Sequence, residues 1–135
     1  MNWLPAAIFS LLAFGLWGFF SKLTVQHIDA RSALIFQTLG VVITGFATLG
    51  MIHFRPATDS RGVALAILTG IAYGLGCLLY FIAAKNGKVT TVVTLTALYP
   101  LVTIALSSAL LNEVITLRQW SGIVLALVAI LLMAI

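Results

Sequence analysis

Charge is the scarcest property of this 135-residue sequence: it holds three acidic and seven basic residues, 7% of the chain. Soluble domains carry about 25% charged residues. With 62% hydrophobic residues and a mean hydropathy of +1.20, the chain cannot form a water-soluble enzyme domain or receptor ectodomain. Cysteine occurs once, as Cys77 inside an apolar run, which excludes a disulfide framework and a thiolate metal site. The cations Lys22, Arg31, Arg55, Arg61, Lys85, Lys88 and Arg118 are scattered singly or in pairs, so no basic stripe exists for a nucleic acid. The metalloprotease, nucleophile-elbow and P-loop motifs are missing, and no carboxylate pair shares a helix face. No enzyme chemistry, cofactor or metal is expected.

What the sequence has instead is long apolar runs. Five stand out, at 3–21, 33–54, 63–84, 89–111 and 117–135, each near the roughly 20 residues that cross a bilayer. Lipid offers the backbone no hydrogen-bond partner, so these spans should be helices. An all-α, multi-pass membrane protein is expected, with five transmembrane helices in one domain over residues 1–135. The start, Met1-Asn2-Trp3-Leu4-Pro5, lacks a basic signal-peptide region, so the first run reads as a retained span. The charged residues are assigned to the connections on this reading, Arg118 at the margin of the last run. Lys85-Asn86-Gly87-Lys88 reads as a tight turn between helices.

Loop charge bears on orientation. One side of the membrane receives Lys22, Arg31, Lys85 and Lys88, and the other Arg55, Arg61 and Arg118. Four cations against three is a weak positive-inside signal. Two readings stay open: a single topology set by the first span or late charges, and dual topology, in which oppositely inserted copies pair antiparallel.

Helical phase groups the polar residues. Thr69, Tyr73, Gly76 and Tyr80 share a face of the third span, and Thr96, Tyr99, Thr103 and Ser107 a face of the fourth. Ser10, Phe14, Trp17 and Ser21 do the same in the first, while the second contributes Gln37, Gly40 and Thr44. Trp17, Gln37, Thr44, Tyr73, Tyr80, Thr96, Tyr99 and Thr103 are the candidates to line a cavity for an uncharged or zwitterionic solute. The same small and hydroxylated residues could simply let helices pack, the role assigned to Gly15, Gly18, Gly70 and Gly74. Pro100 lies mid-span and should kink the helix near Thr96, as a hinge or a fixed bend. Lys22, Lys85, Glu113 and Arg118 read as interfacial or turn residues, with Glu113 tying its turn to Arg118 or to backbone donors. No carboxylate sits near a span centre, which argues against a proton-coupled exporter that selects cations by charge.

Several segments resemble the EamA domain of the drug/metabolite transporter superfamily. They are Leu16-Trp17-Gly18 with Lys22, Tyr73-Gly74, Leu79-Tyr80-Phe81, and Ala83-Ala84-Lys85-Asn86-Gly87. Leu98-Tyr99-Pro100-Leu101, Leu111-Asn112-Glu113 and Gln119-Trp120-Ser121-Gly122 complete the resemblance, with Asn112 where the family commonly has Gly. The resemblance implies one five-helix half of a ten-helix, inverted-repeat transporter, so this chain is expected to work as a homodimer, antiparallel if both orientations exist. It implies a small-molecule solute such as an amino acid or drug, the lipid bilayer as surroundings, and a prokaryotic cytoplasmic membrane. Two alternatives accompany it: a non-transporting subunit that completes a partner protein, and a flippase subunit for a lipid-linked sugar, with Lys22, Lys85 or Arg118 on its phosphate.

Overall fold

A computed structural model of the chain describes residues 3–134, and all regular structure among them is helical. The helices are α1 (Trp3–His27), α2 (Ala30–Met51), α3 (Ser60–Asn86), α4 (Val89–Thr96), α5 (Tyr99–Leu110) and α6 (Leu117–Ala134). Helices α1, α2 and α3, and the α4–α5 pair taken as one rod (Val89–Leu110), are long and apolar enough to cross a membrane. Helix α6 is apolar but shorter, its apolar run being Leu117–Leu132. At 1.5 Å per residue, α3 reaches roughly 40 Å, more than the hydrocarbon core of about 30 Å.

That extra length corrects the expectation that every charge lies in a connection. Lys22, Arg31, Arg61, Lys85 and Arg118 are all helical. Helix ends are set by where the backbone finds a cap, whereas apolar runs end where hydrocarbon gives way to headgroups. Long basic side chains within an end turn can still reach that interface.

The caps were not all evident from hydropathy. Asp29 precedes α2, and its carboxylate accepts from the Arg31 and Ser32 amides at 3.0 and 3.1 Å and from the Ser32 hydroxyl at 2.6 Å. These bonds, the Ser32 hydroxyl foremost, hold the Asp29 carboxyl below its ordinary pKa. Asp59 does the same for α3, accepting from the Gly62 amide at 2.8 Å. Helix α6 opens on a capping box. The Thr116 amide donates to Gln119 Oε1 at 2.8 Å, and the Gln119 amide donates back to Thr116 Oγ1 at 3.3 Å.

The C-terminus of α2 closes without glycine. The Phe54 amide donates to the Leu49 carbonyl at 3.0 Å, with His53 at φ 52° and Phe54 at φ 58°. Conversely, Gly87 does not use its freedom, since no described glycine has positive φ. Lys88 supplies the extended residue before α4, at φ −68° and ψ 131°.

The fourth span is interrupted. Helix α4 ends at Thr96, and Ala97 and Leu98 form a turn held by Ala97 N–H to the Val93 carbonyl and Leu98 N–H to the Leu95 carbonyl. Pro100 lies in the first turn of α5. It has no amide to offer the Thr96 carbonyl, and its ring crowds the preceding turn.

Helices α1–α3 make one compact unit and α4–α6 a second. In the first, burial is concentrated at one end: Gly18, Ser21 and Val25 of α1, Ala30 and Ala33 of α2, and Cys77, Tyr80, Phe81 and Ala84 of α3. At this end the Lys22 ammonium of α1 donates to the Ala84 carbonyl in the last turns of α3 at 2.6 Å. A cation there satisfies a carbonyl near the helix end and meets the negative pole of the dipole. At the other end the helices leave their faces open. A Cβ added at Gly15, Gly40, Gly70 or Gly74 would meet nothing within 4 Å. In the second unit α4 packs on α6, and Thr94 is buried with its hydroxyl on the Thr90 carbonyl at 2.6 Å.

Asn112 stands at φ 54° between α5 and α6. Replacing Asn112 with Val should lower stability by about 1–2 kcal/mol, because a branched Cβ clashes in the left-handed region. Asn112→Gly should preserve or raise it. Thermal unfolding in mild detergent checks both, and equal melting of the Val and Gly variants would contradict the strained turn.

Candidate functional site

The polar stripes of the first three helices meet where the closed end of their unit gives way to the open end. Trp17 comes from α1, Gln37 from α2, and Tyr73 and Tyr80 from α3. The Trp17 indole N–H donates to Gln37 Oε1 at 2.8 Å, and Gln37 Nε2 donates to the Tyr73 hydroxyl oxygen at 3.4 Å. The Trp17 and Tyr80 rings lie 4.6 Å apart, centroid to centroid, tilted by 42°. A tryptophan has one donor and no acceptor, while an amide offers both. Gln37 is therefore the hub, accepting a hydrogen bond from one helix and donating one to another.

Beside the hub lies a cleft of about 230 Å³, bordered by Trp17, Ser21, Phe36, Gln37 and Phe81. Its walls are aromatic, and polar atoms enter it from two helices. The hydroxyl of Tyr80, a residue only 6% exposed, is buried with no hydrogen-bond partner among the described residues. An unpartnered buried hydroxyl costs about 1–3 kcal/mol. Such a cost persists only where packing elsewhere enforces it or where a further group arrives to satisfy it. Phe36 and Phe81 were absent from the candidate set. The available signal was helical: Phe81 lies four residues after the buried Cys77 and three before Ala84, on the inward face of α3.

The remaining candidates fall elsewhere. Thr44 of α2 donates to its own helix at the Val41 carbonyl, 2.7 Å away. Thr96 donates to the Val92 carbonyl at 2.8 Å and Thr103 to the Tyr99 carbonyl at 3.5 Å. Tyr99 is 66% exposed. Thr96, Tyr99 and Thr103 belong to the second unit, where Thr103 borders a separate cleft. Of the glycines assigned to packing, Gly18 is buried, whereas Gly15, Gly70 and Gly74 face open space. Among the described residues the Glu113 carboxylate makes no ion pair with Arg118. Its turn is ordered by the Glu113 amide on the Ser107 carbonyl at 3.5 Å and by the Thr116–Gln119 box. No group of three His, Cys, Asp or Glu residues that could hold a metal occurs among the described residues.

The EamA-like transporter family matches residues 1–135, the entire chain. The chain belongs to that family. It is 30% identical over 122 residues to an uncharacterized protein of Methanocaldococcus jannaschii, covering 90% of this chain and 88% of that one. It is 31% identical over 123 residues to the "Probable glucose uptake protein GlcU" of Staphylococcus aureus, covering 88% of this chain but 42% of that protein. No solved structure matches. Membership and fold make this EamA-family chain an integral, multi-pass membrane protein of a kind that transports small solutes.

The Trp17–Gln37 bond joins two helices in an apolar setting. A double-mutant cycle of Trp17→Phe and Gln37→Leu should give a coupling of roughly 0.5–1.5 kcal/mol in unfolding free energy. Strictly additive losses would mean that the bond does not hold the two helices.

Proposed function

We propose that this EamA-family chain is a carrier for a small, uncharged, polyhydroxylated solute, a sugar foremost, and that two copies build the working unit. The observation that carries the reading is the Gln37 hub. An amide fixed by an indole, next to aromatic walls, matches what such a solute presents: hydroxyls around its edge and C–H faces above and below. No charged side chain borders the cleft. This favours a neutral solute over an ionic one. The name of the staphylococcal relative points the same way.

Length supports the two-copy part. The chain spans less than half of the staphylococcal relative, 42%, and most of the archaeal one, 88%. Relatives of both sizes are consistent with one helical set occurring once or twice per chain. The near-even loop cations allow either insertion, and the side-chain-free surface at Gly15, Gly70 and Gly74 would admit close approach of further helices. The Lys22 ammonium is engaged with the Ala84 carbonyl, which weakens its case as a contact for a lipid-linked phosphate.

Uptake of radiolabelled glucose by purified protein in liposomes tests the carrier. Gln37→Leu should cut initial uptake roughly tenfold or more while membrane insertion is unchanged; uptake equal to wild type would refute the hub. Orientation is tested with Cys77→Ala and a single cysteine at Thr58, one residue before the Asp59 cap. An impermeant maleimide should label about half of the copies in intact cells if both insertions occur. Labelling from one side alone would rule out the antiparallel homodimer.

A further inference from the structure

Three carboxylates exist in the chain, and the fold uses two of them. Asp29 caps α2 through three hydrogen bonds, and Asp59 caps α3. Glu113 is left over. Its turn is held by the left-handed Asn112, by the Glu113 backbone amide, and by Thr116 with Gln119. Among the described residues the side chain makes no hydrogen bond or ion pair. Glu113, an exposed residue, borders a cleft of about 430 Å³ between α5, the loop after it, and α6, with Thr103, Ser107 and Ser108 along the α5 wall. Ile104 and Ile123 are among its apolar walls.

We propose that this cleft binds an organic ammonium: a protonated amine carried on an apolar body. A carboxylate with hydroxyls nearby supplies the charge and the acceptors that an ammonium group needs for its three donors. The volume decides between ligand classes. An alkali ion would occupy a small fraction of 430 Å³, whereas ligand pockets for organic molecules run about 300–1,000 Å³. The apolar walls have no role with a bare ion and a direct one with an alkyl or aryl body. No cation borders the cleft to compete for the carboxylate. The site lies in the second unit, separate from the Gln37 hub, and does not rest on the transport reading.

The test is equilibrium binding of hexylammonium, with hexanol as the neutral control, to the full chain in a nonionic detergent. Hexylammonium should bind saturably and hexanol at least about tenfold more weakly, the difference made by one charge-assisted contact. Glu113→Gln should remove that preference and leave the melting temperature unchanged, because the fold does not use the carboxylate. Should the variant fold poorly, the wild-type comparison of amine with alcohol still decides. Equal binding of the two probes, or a Gln variant that keeps the preference, would overturn the site. Repeating the titration in nanodiscs separates two natural sources of the group. Weaker hexylammonium binding in phosphatidylethanolamine than in phosphatidylcholine means that an aminolipid headgroup fills the cleft; equal binding means a soluble amine does. Because binding is read without flux, its failure and that of the carrier are distinguishable.

Discussion

A polar group in hydrocarbon has no water to turn to, and this chain meets that constraint chiefly with its own backbone. The hydroxyls of Thr24, Thr38, Thr48, Thr69, Thr94 and Thr96 all donate to carbonyls one turn back on their own helices. Two aspartates and one Thr–Gln pair close helix starts, and Lys22 satisfies a carbonyl near the end of α3. Once these groups are accounted for, few polar side chains have an outward-directed capacity. Those few are where chemistry with a solute can occur.

This explains which parts of the protein were legible in the sequence. Hydropathy marked the apolar runs, and a 3.6-residue period grouped Trp17 with Ser21 and Tyr73 with Tyr80 on single faces; Tyr80 is buried, whereas Tyr73 stays 41% exposed. The period could not tell a hydroxyl that lines a cavity from one that bonds to its own helix. Thr44, Thr96 and Thr103 share the stripe pattern of Tyr73 yet make local bonds, because a threonine hydroxyl sits close enough to reach the preceding turn and a tyrosine hydroxyl does not. Caps were equally hard to see by hydropathy. Asp29 and Asp59 look like loop charges, and their place is fixed only by backbone amides two or three residues on. The interruption before Pro100 was readable, since a missing amide is written in the residue itself.

Burial in the first unit is uneven in a way that matters for function. Small residues let the helices approach at one end: Gly18, Ser21, Ala30, Ala33 and Ala84 are all buried there. Within this unit, a Cβ added at Gly15, Gly40, Gly70 or Gly74 at the other end would meet nothing within 4 Å. Glycine in a helix interior costs about 1 kcal/mol relative to alanine, and four such residues on uncovered faces make little sense for lipid contact alone. Close approach of another helix is the condition under which their lack of a side chain becomes useful.

The Gln37 hub is held firmly on one side and loosely on the other. The indole bond to its oxygen, at 2.8 Å, has ordinary strength and fixes the plane of the amide. The bond from its nitrogen to Tyr73, at 3.4 Å, is near the limit at which a hydrogen bond retains value. A solute oxygen that took the place of Tyr73 would therefore gain a good bond and displace a poor one. A fully satisfied cluster would resist that exchange, and a wholly unsatisfied one would destabilise the empty carrier. A carrier must also release what it binds. On the proposed function, an amide with one strong and one exchangeable bond would suit both halves of that cycle, since the weak partner is at hand to replace the departing solute.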